Sequence, residues 1–527
     1  MPKTILVNDD GWIMGSEVSP LTPEYFREQM VGTYRDTPIQ ALLWSIGGHE
    51  TYHIETEVGD VFGVGDDRAR NPRQENTYQN IQRLIRDHGG PLTAMARVCR
   101  DEGIPLFPSV RMNNHYETDP ASPSHSRMRL AHPEWLIGHG EELTPGSIEW
   151  GIRTGLNFAV PEVRAHFVAF VTELFERFDI DGVEMDFQRH PGFFKLDEAF
   201  SSRHLITDMM TEIRRNLAAL NQTRGRSMEL AVRVSETLDA NNRLGLDVER
   251  LIKDGLVDIV MVGGGFMPFD MNFEEFVDAA SETECRIHGC IESMRPTAQD
   301  DAIRGAAQRI WDAGADGLYL FNYFGRTADW KHQMLNQIGS PETLKGLDKR
   351  YEIDHLDRVM SASQIGGAFR NGLPQMQLPL TLQPTEAGVG ATFDLYLGDD
   401  IEKETESGSL KGCTLRFRLE RFGDGDCLAV QVNGQPVSWE SAKVSTEDWS
   451  VTTHTDAKPG EMRTGWRRYQ WYYQDIAEPA TVVEFQLDSP PLIHRHNKLQ
   501  IALVRDDPTN NQPVILRDVE LGVRFKR

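Results

Sequence analysis

Two hydrophobic rhythms divide the chain. Up to about residue 325, short apolar runs rich in β-branched residues recur with helical stretches between them. They are "TILVNDD" (4–10), "ALLWSIGG" (41–48), "IPLFPSVRMNN" (104–114), "DGVEMDFQR" (181–189), "MELAVRVSET" (228–237), "VDIVMVGGGF" (257–266), "RIHGCIES" (286–293) and "GLYLFNYFG" (317–325). Stretches such as "PEVRAHFVAFVTELFERF" (161–178) and "DDAIRGAAQRIWDAG" (300–314) space their apolar residues at helical intervals. Strand, helix, strand in this alternation means parallel strands joined by right-handed crossovers. Eight such units predict a (β/α)8 TIM barrel.

Past residue 340 the helical intervals disappear. Alternating runs at 391–398, 413–422, 427–437, 466–476, 481–488, 498–506 and 514–525 are punctuated by turn signals such as "NG" and "DSPP". That pattern predicts an antiparallel β-sandwich of jelly-roll type. The expected division is a catalytic barrel over 1–340, a linking or packing segment over 341–374, and a C-terminal sandwich over 375–527. Runs such as "LAVQVNGQPV" and "NKLQIALV" in the last part resemble galactose-binding-like accessory domains. A buttressing role is expected for it ahead of glycan binding, because fold alone confers no function.

Composition narrows the partners. The 527 residues include 80 acidic and 55 basic side chains, a net charge of −25. This argues against nucleic-acid and membrane-surface binding. Five cysteines (Cys99, Cys285, Cys290, Cys413, Cys427) form no CxxC pair, which disfavours a disulfide framework. The opening "MPKTILVNDDGW" has no signal-peptide pattern, so a cytoplasmic location is the expectation.

The chemistry is expected at the ends of the barrel strands. In "DGVEMDFQR", Val183, Met185 and Phe187 alternate with Glu184, Asp186 and Gln188, so the carboxylates share one face. A closed parallel barrel covers both faces of its strands, so acidic residues there line a pocket. The strand-end residues are Asn8, Asp9 and Asp10 on the first strand, and Arg111, Asn113, Asn114 and His115 on the third. The fourth strand ends in Glu184, Asp186 and Arg189. Arg233 and Glu236 end the fifth, Glu292 the seventh and Asn322 the eighth. Cleaving a glycosidic bond takes two carboxyls, one to protonate the leaving oxygen and one to attack or to activate water. Asp186 with Glu236 can supply that pair, and Glu292 competes for the second place. The plainer alternative is that these acids only salt-bridge Arg111, Arg189 or Arg233.

"HETYH" (49–53) matches HExxH, but zinc binding by that motif needs a helix, and here it follows a strand and two glycines. No metal and no cofactor is therefore expected, and His49 is placed on a sugar-contacting loop. Arg111, Arg189, His190, Arg233 and Arg295 gather near the mouth, which suits a sulfated or uronic sugar or neutralises the acids. Trp12, Trp44, Tyr319, Phe321 and Tyr323 are stacking candidates or barrel core. "VGGGF" (262–266) lacks the spacing of a phosphate loop, and Cys290 has no local protease signature.

With these residues in view, "FDIDGVEMDFQRHPGFF" (178–194), "SVRMNN" (109–114) and "NDDG" (8–11) resemble the glycoside-hydrolase-like (family 10-like) barrels of bacterial polysaccharide degradation. The resemblance covers roughly the first 340 residues. It implies Asp186 as nucleophile and Glu236 as acid/base. Strand phase alone favours Glu292, which shares a face with His288 and Cys290. Two departures matter: Gln188 stands where the chitinase-like "DGxDxDxE" has its catalytic Glu, and the "NE" pair of the large retaining β-glycosidase clan is missing from the fourth strand. The expected protein is a glycoside hydrolase acting on a complex poly- or oligosaccharide. Asp9, Asp10, His49, Arg111, Asn113, His115, Glu184, Arg189, Arg233 and Asn322 are its expected substrate contacts. A carbohydrate is the expected partner, and homo-oligomerisation is left open. The alternatives are a metal-dependent barrel hydrolase or aldolase, or a catalytically inactive carbohydrate-binding barrel.

Overall fold

The computed structural model describes residues 3–15, 18–48, 50–113, 115, 119–188, 191–264, 268–292, 299–323, 327–354, 371, 377–384, 390–447, 480–487, 491–505 and 512–526. Eight strands close a parallel barrel: β1 (Ile5–Asp9), β2 (Ile39–Ser45), β3 (Leu106–Arg111), β4 (Gly182–Asp186), β5 (Glu229–Val234), β6 (Ile259–Val262), β7 (Arg286–Glu292) and β8 (Gly317–Phe321). They are hydrogen-bonded in chain order, and β8 pairs with β1. Helices separate them, among them α1 (Pro72–His88), α2 (Pro91–Asp101), α3 (Pro161–Arg177), α4 (Leu196–Arg224) and α5 (Asp300–Asp312). Each expected barrel strand is present. Asp9, Arg111, Asp186 and Glu292 are the last residues of their strands, whereas Asp10, Asn113, Glu236 and Asn322 lie just beyond the strand ends.

Local signals explain the element ends. Asn71 and Gln74 form a reciprocal capping box at the start of α1, and Gly89 closes it with φ of +85°. At the N-terminal ends of the strands one device recurs three times. Asp181, just before β4, accepts the Leu106 N–H of β3 at 2.9 Å. Asp258, before β6, accepts the Leu230 N–H of β5 at 2.7 Å, and Asp316, before β8, accepts the Ile287 N–H of β7 at 2.8 Å. Each carboxylate satisfies a donor that the neighbouring strand leaves open at its start. Asp181 therefore belongs to the end of the barrel opposite the mouth.

The C-terminal part is two antiparallel sheets. The strands are β9 (Lys349–Glu352), β10 (Leu380–Leu382), β11 (Ala391–Leu397), β12 (Leu410–Glu420), β13 (Cys427–Val432), β14 (Gln435–Val437), β15 (Lys443–Glu447), β16 (Ala480–Leu487), β17 (Arg495–Arg505) and β18 (Val514–Phe525). One sheet runs β9-β18-β12-β16-β15 with β10 on β18, and the other runs β11-β17-β13-β14. Alternate residues such as Leu415, Phe417, Val430, Phe485 and Ile501 are buried between them. The expected strand at 466–476 lies outside the described residues. The segment 341–374 contributes a helical turn (Pro341–Leu344) and β9, which joins the sandwich by pairing with β18.

Barrel and sandwich meet along α5. A Cβ on Gly305 would sit 2.1 Å from the Arg350 carbonyl of β9, so only glycine permits this approach. Gln308 donates to the Gly398 carbonyl at 3.2 Å, and Arg524 of β18 pairs with Asp301 at 3.1 Å. Among the described residues no helix is long and apolar enough to cross a membrane.

Candidate active site

The barrel interior sets which strand residues can do chemistry. Leu6, Ala41, Leu43, Phe107, Ala231, Ile259, Met261, Cys290, Tyr319 and Phe321 form one closed apolar cluster. Side chains alternate along a strand, so Asn8, Asp10, Arg111, Glu184, Asp186, Arg233 and Glu292 share that inward phase. Asp9 has the opposite phase. Its carboxylate accepts the Gly11 N–H at 2.9 Å. Its charge adds to burial in raising the Tyr34 phenol and opposes burial at the Lys331 amine, both in the helix layer. Of the two aspartates expected at the mouth, Asp9 thus has the phase opposite to Leu6 and Asn8, and Asp10 follows the strand end.

The inward residues form two levels. Register pairs Ser109 with Glu184 and, one level nearer the mouth, Arg111 with Asp186 and Asp186 with Arg233. On the lower level Glu184 accepts the Tyr319 hydroxyl at 2.6 Å and the Asn8 amide at 3.2 Å. It is fully buried. Burial first, then the Asp186 charge, pushes its carboxyl up to about 7, against the hydrogen bonds and Arg233 that lower it. Glu184 is thus a floor beneath Asp186, although it was expected among the substrate contacts.

On the upper level Asp186 accepts the Gln188 N–H at 3.0 Å and lies 3.3 Å from the Arg233 guanidinium. Arg233 also donates to the Gly263 and Gly264 carbonyls at 3.1 and 3.2 Å, and its guanidinium stands 3.7 Å over the Phe321 ring. Burial is the largest single influence on Arg233 and lowers its pKa, but Asp186, Cys290, Tyr319 and Glu184 together outweigh it, so the guanidinium stays charged. Arg111 makes an ion pair with Asp10. Both described arginines of the mouth thus face carboxylates.

Glu236 follows β5 and has no exposed surface. One of its oxygens accepts the Ser235 hydroxyl at 2.7 Å and the other the Gly264 N–H at 2.9 Å. Glu292 ends β7 and accepts the Asn322 amide at 3.3 Å. Asn322, at φ of +54°, stands just past β8. Burial raises the Cys290 thiol; Arg233 opposes this, and Glu292, Glu236 and Asp186 all add to it. All three acids thus lie within electrostatic reach of this buried side chain.

Other expected contacts have local duties. The Asn113 amide donates to the Leu156 and Gly192 carbonyls at 3.0 and 2.7 Å, and its oxygen accepts the Leu156 N–H at 3.1 Å. It staples the loop after β3. His115 is buried against Gly155, where a Cβ would lie 2.0 Å from its ring. His49 and Arg189, like His190 and Arg295, lie outside the described residues.

The described residues of the HExxH stretch, Glu50 to His53, are not helical. Gly47–Gly48 pairs with Thr51–Tyr52 as a small hairpin, and Glu50 takes φ of +59° at its turn. The Glu50 carboxylate holds buried Arg129 in two bonds of 2.7 and 2.9 Å. His53 packs edge-on to Phe62, and burial pushes it down to about 4. Among the described residues no three His, Cys, Asp or Glu side chains are grouped to hold a metal.

Asn8, named only as a strand-end residue, and Tyr319, named only as a stacking candidate, take a role the sequence did not show: both donate to Glu184. Counting by twos from Leu6 and Phe321 puts both on the inward face.

No protein-family model matches the chain, and no curated protein sequence does. Several solved structures are similar at low identity. An α-L-fucosidase from Paenibacillus thiaminolyticus has 10% identity and a TM-score of 0.40, with 64% of this chain and 48% of that chain covered. A glycoside hydrolase family 18 N-acetylglucosaminidase from Paenibacillus barengoltzii has 10% identity and a TM-score of 0.35, with 64% and 99% covered. An α-galactosidase from Geobacillus stearothermophilus, solved with raffinose, has 11% identity and a TM-score of 0.38, with 95% and 56% covered. The chain spans about half the length of the fucosidase and the galactosidase. These structural neighbours are glycoside hydrolases.

Proposed function

We propose that the protein is a glycoside hydrolase whose reacting carboxylate is Asp186. The observation that carries this is that three buried carboxylates, Asp186, Glu236 and Glu292, stand at the mouth-side ends of β4, β5 and β7, where two of them can supply the pair of carboxyls that glycosidic cleavage requires. Asp186 attacks the anomeric carbon or activates water. Arg233 and the Gln188 N–H orient it, and Glu184, neutral below about pH 7, sets how much negative charge lies beneath it. Glu236 donates the proton to the leaving oxygen, as the family 10-like resemblance implies. Asn322 and Asp10 are proposed as sugar contacts at the rim.

One observation favours a second assignment of the acid. Both Glu236 oxygens are engaged by Ser235 and Gly264, so to act as acid it must release one of them. Glu292 has the inward strand phase and is the alternative donor. A second point concerns the sugar. Arg111 and Arg233 each face a carboxylate, which favours neutralisation of the acids over binding of a sulfated or uronic group at that part of the mouth.

The test is release of reducing sugar from a panel of natural glycans and aryl glycosides, with and without a chelator. Chelator-insensitive turnover supports the proposal. Binding without turnover points to an inactive carbohydrate-binding barrel, and turnover lost with chelator points to a metal-dependent enzyme.

A further inference from the structure

The residues after β6 are held from two sides. At the inner end, Gly263 and Gly264 give their carbonyls to Arg233, and the Gly264 N–H goes to Glu236. At the outer end, the Phe269 and Asp270 N–H groups donate to one oxygen of Asp354 at 2.9 and 2.7 Å. Asp270 returns the bond by accepting the Asp354 N–H at 3.1 Å, and it also accepts Gln377 at 3.3 Å. Asp354 is fully buried and follows β9, the first strand of the sandwich. A second tie runs through Met271. Its carbonyl accepts Arg309 at 2.7 Å, and the Arg309 guanidinium stacks 3.7 Å over Tyr396 of β11.

The two ends touch. A Cβ on Gly263, which has φ of +101°, would lie 2.4 Å from the Met271 sulfur and 3.8 Å from Glu236. Gly263 is therefore packed between the sandwich-anchored Met271 and the mouth carboxylate. We infer that Asp354 is a positioning residue, through which the C-terminal domain fixes the Gly263–Gly264 backbone that orients Glu236 and Arg233. This rests on the proposed function for its kinetic consequence but not for its structural one. A sandwich that merely covered apolar surface would leave these backbone groups indifferent to Asp354.

The experiment compares Asp354→Ala and Asp354→Asn in the full chain by hydrogen exchange and by kinetics. One oxygen of Asp354 takes both N–H groups, so an amide oxygen can replace it, whereas alanine cannot. Asp354→Ala is expected to speed exchange at Gly264 by about tenfold or more, the order for losing a local tie, with β1 to β4 unchanged. Asp354→Asn is expected to keep the protection. Glu236→Ala, which removes the acceptor itself, sets the upper limit of the effect. With a glycoside as substrate, Asp354→Ala should lower kcat by roughly ten- to a hundredfold, the order for a small misplacement, with little change in KM. Unchanged Gly264 exchange, or exchange raised evenly over the whole barrel, overturns the inference. Absence of wild-type turnover would instead refute the proposed function and leave the exchange result to decide the positioning role.

Discussion

Replacing Glu184 by glutamine tests the electrostatics of the barrel floor. In the folded chain this carboxyl is held at about 7, against an ordinary value of 4.5. The native state therefore keeps a proton that the unfolded chain releases between those two pH values. Stability falls as pH rises through that interval, because the native state binds more protons there. At 1.36 kcal/mol per pH unit, the loss is about 3 kcal/mol, complete above pH 7 and absent below 4.5. Glutamine has nearly the same shape and no charge to bury. The Tyr319 hydroxyl can still donate to its oxygen. The Asn8 oxygen, buried and without a hydrogen-bond partner, can turn to accept the new amide. Chemical denaturation of wild type and Glu184→Gln between pH 4.5 and 8 measures the difference. The variant should gain on wild type with rising pH, reaching about 3 kcal/mol by pH 8. A difference that stays flat with pH, or one that favours wild type more at pH 8, would refute the reasoning.

Other consequences follow from the same contacts. Arg233→Met leaves Asp186 buried without its counter-ion and should destabilise the fold by about 3–5 kcal/mol at neutral pH; a loss under 1 kcal/mol would mean the pair is solvated. If Glu236 is the proton donor, Glu236→Gln should spare aryl glycosides with activated leaving groups more than natural glycans. The same selectivity appearing only in Glu292→Gln would transfer the role. Glu50→Gln should lower thermal stability by breaking the Arg129 pair; the wild type should purify with less than one zinc per chain, and stoichiometric zinc lost on replacing His49 and His53 by alanine would reinstate the HExxH motif as a metal site.

Strand existence was legible because fully buried parallel strands read as short β-branched runs, and all eight appear in the barrel. Which residues face the mouth was less legible. "VNDD" places two aspartates together, and only the phase set by Leu6 separates inward Asp10 from outward Asp9. The run "DGVEMD" looked like one acidic cluster. In the fold its members divide three ways: Asp181 caps the barrel base, Glu184 forms the floor, and Asp186 reaches the mouth. Rise along a strand does this, and residue type carries no sign of it. Asn113 and Glu50 were read as sugar-contacting and motif residues. Their duties depend on Leu156, Gly192 and Arg129, which are distant in sequence and invisible to any local pattern. The tie from Asp354 to the β6 segment was unreadable for the same reason.

The most direct test of the central claim is the turnover of Asp186→Asn on the glycan or aryl glycoside that the wild type hydrolyses best. Its folding is checked by circular dichroism, because Arg233 loses a charged partner. An amide nearly conserves volume and can still accept the Gln188 N–H, but it cannot supply the anion. The account predicts an intact fold with kcat reduced by at least about a hundredfold, the lower end of what a positioned carboxyl contributes. A folded variant turning over at close to the wild-type rate would contradict it and remove Asp186 from the reaction.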